Sequence, residues 1–251
     1  MSTRTRRTGS FALAAALTRA TTAALRAKAP GGPGRWERKN HAGRTVDLHA
    51  GPASAGAVAL AAGRAHPAAG LAALAAGVCG AYDDVVGADD PRRGFRAHLA
   101  ALRDGEVTSG MVKLAGISAA GLVAGAVSKE RFCDKVLAGV VIAGAAHFVN
   151  LVDVRPGRAA GAVLALGAPG LLRKGPGAEL SAAAMGAAAA VLPEDLGERT
   201  MIGDTGAHAL GATLGAAVVA GNGRAGLLAH AAALVVVAVY GERVSELARS
   251  L

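Results

Sequence analysis

Aromatic residues are scarce in this chain, with one Trp, two Tyr and four Phe among 251 residues. Charge is scarce too, at 18% of residues against 52% hydrophobic. Aromatic side chains dominate the buried area of soluble cores, and a charged surface keeps a soluble domain dispersed, so both shortages weigh against an ordinary water-soluble domain. Cysteine is limited to Cys79 and Cys133, which excludes a disulfide framework. Neither has metal-ligand spacing, and both are expected to be buried thiols. A surplus of acid is also missing, because 27 Lys and Arg against 18 Asp and Glu leave a formal charge of +9. The basic residues sit between apolar runs instead of clustering on one segment. That distribution argues against nucleic acid as a partner and for positive loops flanking membrane helices.

What the chain does have is alanine, glycine and apolar runs of about 15 to 22 residues, close to the ~20 a helix needs to cross a bilayer. The expected fold is all-α, a polytopic integral membrane protein of about nine transmembrane helices in one bundle spanning residues 1–251. A soluble Ala-rich helical protein is the alternative, since alanine is only weakly hydrophobic and the mean hydropathy is +0.38.

Along the chain, Met1 to Arg7 followed by the apolar Phe11 to Leu17 resembles a signal peptide, but Arg19 and Arg26 interrupt the run. It is read as a first helix over about 10–29. Trp36, beside Arg35, Arg38 and Lys39, reads as an interfacial anchor. Arg64-Ala65-His66-Pro67 breaks the next apolar stretch into two helices, because proline ends a helical ladder. A polar loop over about 85–110 carries Arg92, Arg93, Arg96 and Arg103, the excess that marks a cytoplasmic side. Further spans are expected over about 111–128, 132–151, 158–172, 178–192, 205–221 and 224–241, leaving a polar tail. Simple alternation of these spans places Asp83, Asp84, Asn150, Asp153 and Asp204 on one membrane face. The same count puts the N-terminal arginines outside, against the positive-inside rule.

The pair Asp83-Asp84 stands at the end of an apolar run. Adjacent carboxylates repel, and ionisable groups at membrane depth are costly enough that function is their default reading. A bound divalent cation removes the repulsion, since Mg²⁺ is commonly held by one or two carboxylates together with substrate phosphates. A solvated loop start with two ordinary acids explains the pair equally well. His147 and His208 lie one turn or less from Asn150 and Asp204 and could reach a phosphate, or be satisfied locally. His230, alone on an apolar helix, reads as a buried packing residue.

Four short motifs in order resemble those of the polyprenyl-phosphate N-acetylhexosamine-1-phosphate transferases, the family that includes phospho-N-acetylmuramoyl-pentapeptide transferase. Tyr82-Asp83-Asp84 resembles the aspartate pair after the family's third helix, and Lys113 the lysine that opens the fourth. Asn150-Leu151-Val152-Asp153 resembles the start of N-L-x-D-G-L-D-G-L, and Gly203-Asp204-Thr205-Gly206 resembles G-D-T-G-S. The resemblance covers about residues 35–220. It implies transfer of a sugar 1-phosphate from a UDP-sugar to a polyprenyl phosphate at the cytoplasmic face of the plasma membrane, with Mg²⁺ as cofactor and a possible homodimer. It also implies roles. Asp204 would be the principal Mg²⁺ ligand with Asp83, which handles the attacking phosphate while Asp84 supports it. Lys113 would pair with a phosphate, Asn150 and Asp153 would line the nucleotide side, and Gly203, Thr205 and Gly206 would bind substrate. The chain departs from the family where Pro156 replaces the second aspartate of the Asn150 motif and where Met201 replaces an aromatic residue. The family's His-rich loop before the last helix has no counterpart either, so a non-catalytic relative that binds polyprenyl phosphate, or scaffolds an assembly, is the alternative.

Overall fold

A computed structural model describes residues 3–87, 92 and 94–250, the side chains of 94–96 excepted. Arg93 and the side chain of Arg96, two of the loop cations noted above, lie outside the described residues.

Alanine is the best helix former, and helix is what the apolar runs become. The elements are α1 (Thr3–Lys28), the strands β1 (Glu37–Lys39) and β2 (Thr45–Asp47), α2 (Ala50–Ala65), α3 (Pro67–Val86), α4 (Gly94–Arg103), α5 (Ser109–Ser128) and α6 (Phe132–Val152). They continue with α7 (Arg158–Gly167), which runs into a 3₁₀ segment, α8 (Pro176–Leu196), α9 (Gly203–Gly221), α10 (Arg224–Val239) and α11 (Gly241–Ser250). Pro67 sits in the first turn of α3, where its missing N–H costs nothing, and His66 before it is extended. That junction folds α3 back along α2. At the start of α5, the hydroxyl of Thr108 accepts from the Met111 N–H, an N-cap contact.

Each apolar run read from the sequence is a helix. The expectation of nine membrane spans is not supported, however. Among the described residues, α3, α5 and α6 are long and apolar enough to cross a membrane, and α10 with α11 makes a fourth only if that pair, bent by 84°, is one span. The reason is composition, because a helix filled with alanine and glycine has the length of a span without the hydropathy.

The outward faces of the candidate spans separate the membrane reading from the soluble one. On α3 the exposed large side chains are Leu71, Leu74, Val78, Tyr82, Val85 and Val86, and all but the terminal Val86 form a stripe of helical period turned away from the bundle. A soluble helix shows the reverse pattern, polar outside and apolar inside. The inward side of α3 is made of Ala69, Gly70, Ala72, Ala73, Ala76, Gly77 and Gly80. Large residues face out and small ones face in, the arrangement of helices packed in lipid.

At the centre stands α9, whose residues from Gly203 to Val219 are almost all buried. It packs against α2, α3, α6 and α8. The approach of α3 to α9 is set at Gly80, where a Cβ would overlap the carbonyl of Asp204 and lie 2.7 Å from the Thr205 nitrogen. No side chain fits there.

Several features were not expected. The basic loop after α1 forms a hairpin, Glu37 opposite Asp47 and Lys39 opposite Thr45, whose second strand also bridges Thr200. The expected loop over 85–110 contains α4, and the polar tail is α11. Trp36 does not stand free as an anchor, for its ring stacks on His49 at 4.6 Å and its Nε1 donates to the Pro30 carbonyl at 2.8 Å. Cys79 is half-buried but Cys133 is exposed, and His230 is exposed with Nδ1 2.7 Å from the Gly226 carbonyl. Both corrections follow from position: Cys133 opens α6 at a bundle end, and α10 packs on the bundle chiefly through α6, leaving its other faces open.

Replacing Gly80 with Leu is expected to force α3 off α9 and destabilise the protein by about 3 kcal/mol, the upper range for overpacking. Unfolding of the purified variant in detergent measures this, and a wild-type melting temperature would show that the helices can separate freely.

Candidate functional site

The C-terminal end of α3, the first turns of α5 and the N-terminus of α9 meet at one end of the bundle. Burying the start of α9 leaves backbone N–H groups that need acceptors. The residue before the helix, Ile202, has no side chain able to cap it. The acceptor arrives from α3 instead: Asp84 takes hydrogen bonds from the N–H of Asp204 and the N–H of Thr205, each at 3.0 Å, and from the Thr205 hydroxyl at 2.6 Å. A carboxylate here also meets the positive end of the helix dipole. Gly203 has φ +56°, and a Cβ on it would lie 3.0 Å from the Asp84 carboxylate. Left-handed backbone and close approach both favour glycine at that position.

The neighbouring Asp83 points to α5. Its Oδ2 accepts from the Lys113 ammonium at 2.6 Å, and the same ammonium donates to Oδ2 of Asp204. One cation therefore joins two carboxylates from two other helices. The three side chains are 12%, 18% and 24% exposed for Lys113, Asp83 and Asp204 respectively, so water screens them only in part. Arg38 of β1 adds a second cation at this place, donating to the Asp84 carbonyl at 3.0 Å.

Of the remaining residues expected at the site, Asn150 closes α6, where its carbonyl takes the Asp153 N–H at 3.2 Å. Its side chain makes no hydrogen bond among the described residues. The carboxyl of Asp153 is held well above the usual carboxylate range, first by burial and then by the charges of Asp195, Asp204 and Asp84. Asp153 thus belongs to the same acidic neighbourhood. Gly206 does not face it, since a Cβ there would meet Ile202 and the hydroxyl of Ser54 on α2. That glycine serves helix packing.

Three participants were not singled out from the sequence. Asp195, buried near the end of α8, accepts the Gly157 N–H at 2.9 Å and faces Asp153 across the α6–α7 turn. Arg38 and the Asp47–Thr200 link were missed as well. Asp47 accepts the Thr200 hydroxyl at 2.8 Å and Arg26 Nε at 2.8 Å, tying the hairpin to the chain just before Gly203. Burial alone would raise the Asp47 carboxyl, but these bonds outweigh it and hold it below the usual range. The adjacent acids Glu194-Asp195 at the end of an apolar run are the local signal that could have found Asp195, whereas nothing local signals the other two.

His208, fully buried one turn into α9, places Nδ1 2.7 Å from the Asp204 carbonyl, and its Nε2 has no partner among the described residues. It lines, with His147 and with Leu114, Ile117 and Leu234, an apolar cavity of about 350 Å³ between α5, α6 and α10. The cavity adjoins the acidic end from the hydrophobic side.

Hard carboxylate oxygens converging on one positive charge suit Mg²⁺ in kind. Here the positive charge between Asp83 and Asp204 is an ammonium, and among the described residues no group of three or more His, Cys, Asp or Glu is drawn together tightly enough to enclose a metal ion. The arrangement can neutralise paired acids, present an ammonium to a phosphate, and release two carboxylates if Lys113 turns away. Comparison with protein-family models and with curated proteins finds no match.

The raised carboxyl of Asp153 gives a pH dependence of known sign. Its proton is held more firmly folded than unfolded, so stability falls as pH rises from about 4 toward the folded value. Asp153→Asn is expected to melt a few degrees above wild type at pH 8, with the gap closing near pH 4. Equal melting at both pH values would place Asp153 in solvent.

Proposed function

We propose that the chain is a membrane-embedded glycosyl-1-phosphate transferase that moves a sugar 1-phosphate from a UDP-sugar to a polyprenyl phosphate, with Mg²⁺ as cofactor, in the manner of the family its motifs resemble. The observation that carries this reading is the meeting of Asp83, Lys113 and Asp204, from three different helices, at one end of an apolar bundle. An ion pair of that kind is a poor stability device when a packed apolar contact would serve, and perturbed charge clusters gather at functional sites. The apolar cavity beside His147 and His208 supports a substrate with a hydrocarbon tail. On this reading the site end faces the cytoplasm, where UDP-sugars are, and the membrane is the plasma membrane.

In the reaction an oxygen of the acceptor phosphate forms a bond to the sugar-linked phosphorus. The bond from that phosphorus to the bridging oxygen breaks, and UMP leaves with the electron pair. Asp204 with Asp83 would hold Mg²⁺, whose charge would neutralise that of the diphosphate. Asp84 keeps its place in the α9 cap and fixes Asp204 by holding its N–H. Lys113 exchanges its carboxylate partners for a phosphate oxygen, a role suited to a mobile point charge. Asp83, released from Lys113, accepts any proton carried by the acceptor phosphate. Asn150 and Asp153, with Asp195 beside them, form the side on which the nucleotide lies.

A second reading has an observation of its own. Asp84 is fully engaged as a cap, and Lys113 already balances Asp83 and Asp204, so the cluster is complete as an internal polar lock. A non-catalytic relative that binds polyprenyl phosphate fits that state. Purified protein given Mg²⁺, undecaprenyl phosphate and a panel of UDP-sugars is expected to release UMP, and Asp204→Asn to lower the rate at least about 100-fold while the fold is kept. Absence of UMP from every sugar, with a folded protein, would leave the binding relative.

A further inference from the structure

Across α8 from the acidic cluster lies a recess of about 310 Å³, bounded by Arg19, Thr22 and Arg26 of α1, Glu194 of α8, and Arg199 and Thr200. Arg19, Thr22 and Arg26 fall at positions i, i+3 and i+7, one face of the helix. Within the recess, guanidinium groups outnumber carboxylates three to one. The single acid is already compensated, since Glu194 pairs with Arg26 Nη1 at 2.5 Å while Arg26 Nε is taken by Asp47 at 2.8 Å. Arg19 and Arg199 make no ion pair and no side-chain hydrogen bond among the described residues. Ala50, the first residue of the 16-residue α2, also lines the recess and brings the positive end of that helix to it. Two unpaired arginines, a helix N-terminus and no uncompensated acid make a place for an anion.

The position selects the kind of anion. The recess lies at the bundle end shared with Asp83 and Asp204, because Thr200 and Gly203 are three residues apart on one strand of chain. From Arg19 toward the other end, α1 runs through the uncharged Phe11–Leu17. A ligand seated on the arginines would thus have the apolar Phe11–Leu17 stretch of α1 on one side and water on the other. Basic pockets between helices at a membrane surface take phosphate-bearing lipid headgroups, and arginine binds phosphate through paired N–H donors.

We propose that this recess binds the phosphate of an anionic phospholipid headgroup, with Arg19 and Arg199 as its principal ligands and Arg26 as the fixed cation behind them. The site is separate from the proposed reaction and does not depend on it. Bound lipid would join α1 to α8 and to the Arg199–Thr200 segment that leads into Gly203. A free phosphate ion offers the same chemistry without the tail.

The test is thermal unfolding of the full chain in detergent with added phosphatidylglycerol, phosphatidylcholine or inorganic phosphate. Wild type is expected to melt about 5 °C or more higher with saturating phosphatidylglycerol, the scale for ligand at many times its dissociation constant. Phosphatidylcholine should give no such rise, and Arg19→Gln/Arg199→Gln should lose most of the phosphatidylglycerol shift. An equal shift in wild type and double variant overturns the site, as does the lack of any shift in wild type. An equal rise with inorganic phosphate, lost in the variant, overturns the lipid assignment in favour of free phosphate. Native mass spectrometry provides an independent reading, and it applies to the Arg199→Gln single variant if the double variant does not fold. One phosphatidylglycerol retained by wild type and lost from that variant upholds the proposal, and retention by both contradicts it.

Discussion

Carboxylates cannot be brought together at the end of an apolar bundle unless something cancels their charge, and the rest of this structure is arranged around how that is done. Asp83, Asp84 and Asp204 come from two helices that touch backbone to backbone at Gly80. Two different devices compensate them. Asp84 is absorbed by the N–H groups of α9, and Asp83 shares the Lys113 ammonium with Asp204. Removing the cation from such a partly buried set would leave two uncompensated charges, a loss on the scale of about 3–5 kcal/mol. The same set, loosened by a phosphate that competes for Lys113, becomes a place to bind one. On the proposed function, stability in the resting state and readiness for an anionic substrate would come from the same ammonium.

Small residues make that arrangement possible. The buried core is largely alanine, with Leu180, Ile202, Leu210 and Leu227 among the few large side chains fully inside. Helices built this way come close together, and their large residues are left to face outward on α3 and α5. A low-hydropathy interior and an apolar exterior explain how one chain can have so many helices and so few that meet the length and hydropathy of a membrane span. They also explain why α9, which carries Asp204, is enclosed on all sides and holds its first turn rigidly toward α3.

Helix positions were legible in the sequence because alanine-rich runs bounded by Gly, Pro and charged loops leave little alternative. The meeting of Asp83, Lys113 and Asp204 was not earned by counting, because the alternation assumed nine spans and three helices, or four with the bent pair, have the length and hydropathy for one. What sequence could not supply were contacts made across long separations. The cap on α9 comes from Asp84, 120 residues earlier, and no local pattern announces it. The β1–β2 hairpin joins Thr200 through a single bridge, and Asp195 meets Gly157 at the turn between α6 and α7. Hydropathy counting overstated the number of spans because it treats alanine as lipid-seeking, whereas here alanine lines the contacts between helices. Residues at bundle ends, Cys133 among them, were misread for a related reason: periodicity gives a face but not a depth.

Lys113 acts on Asp83 and Asp204 as one electrostatic unit. A double-mutant cycle of Lys113→Met and Asp204→Asn, read by reversible unfolding in detergent, measures that coupling directly. Lys113→Met alone is expected to be strongly destabilising and the added Asp204→Asn to restore part of the loss, with a coupling of about 1–3 kcal/mol. Additive effects within about 0.5 kcal/mol would contradict it, because the ammonium and the carboxylate would then be neighbours without being partners.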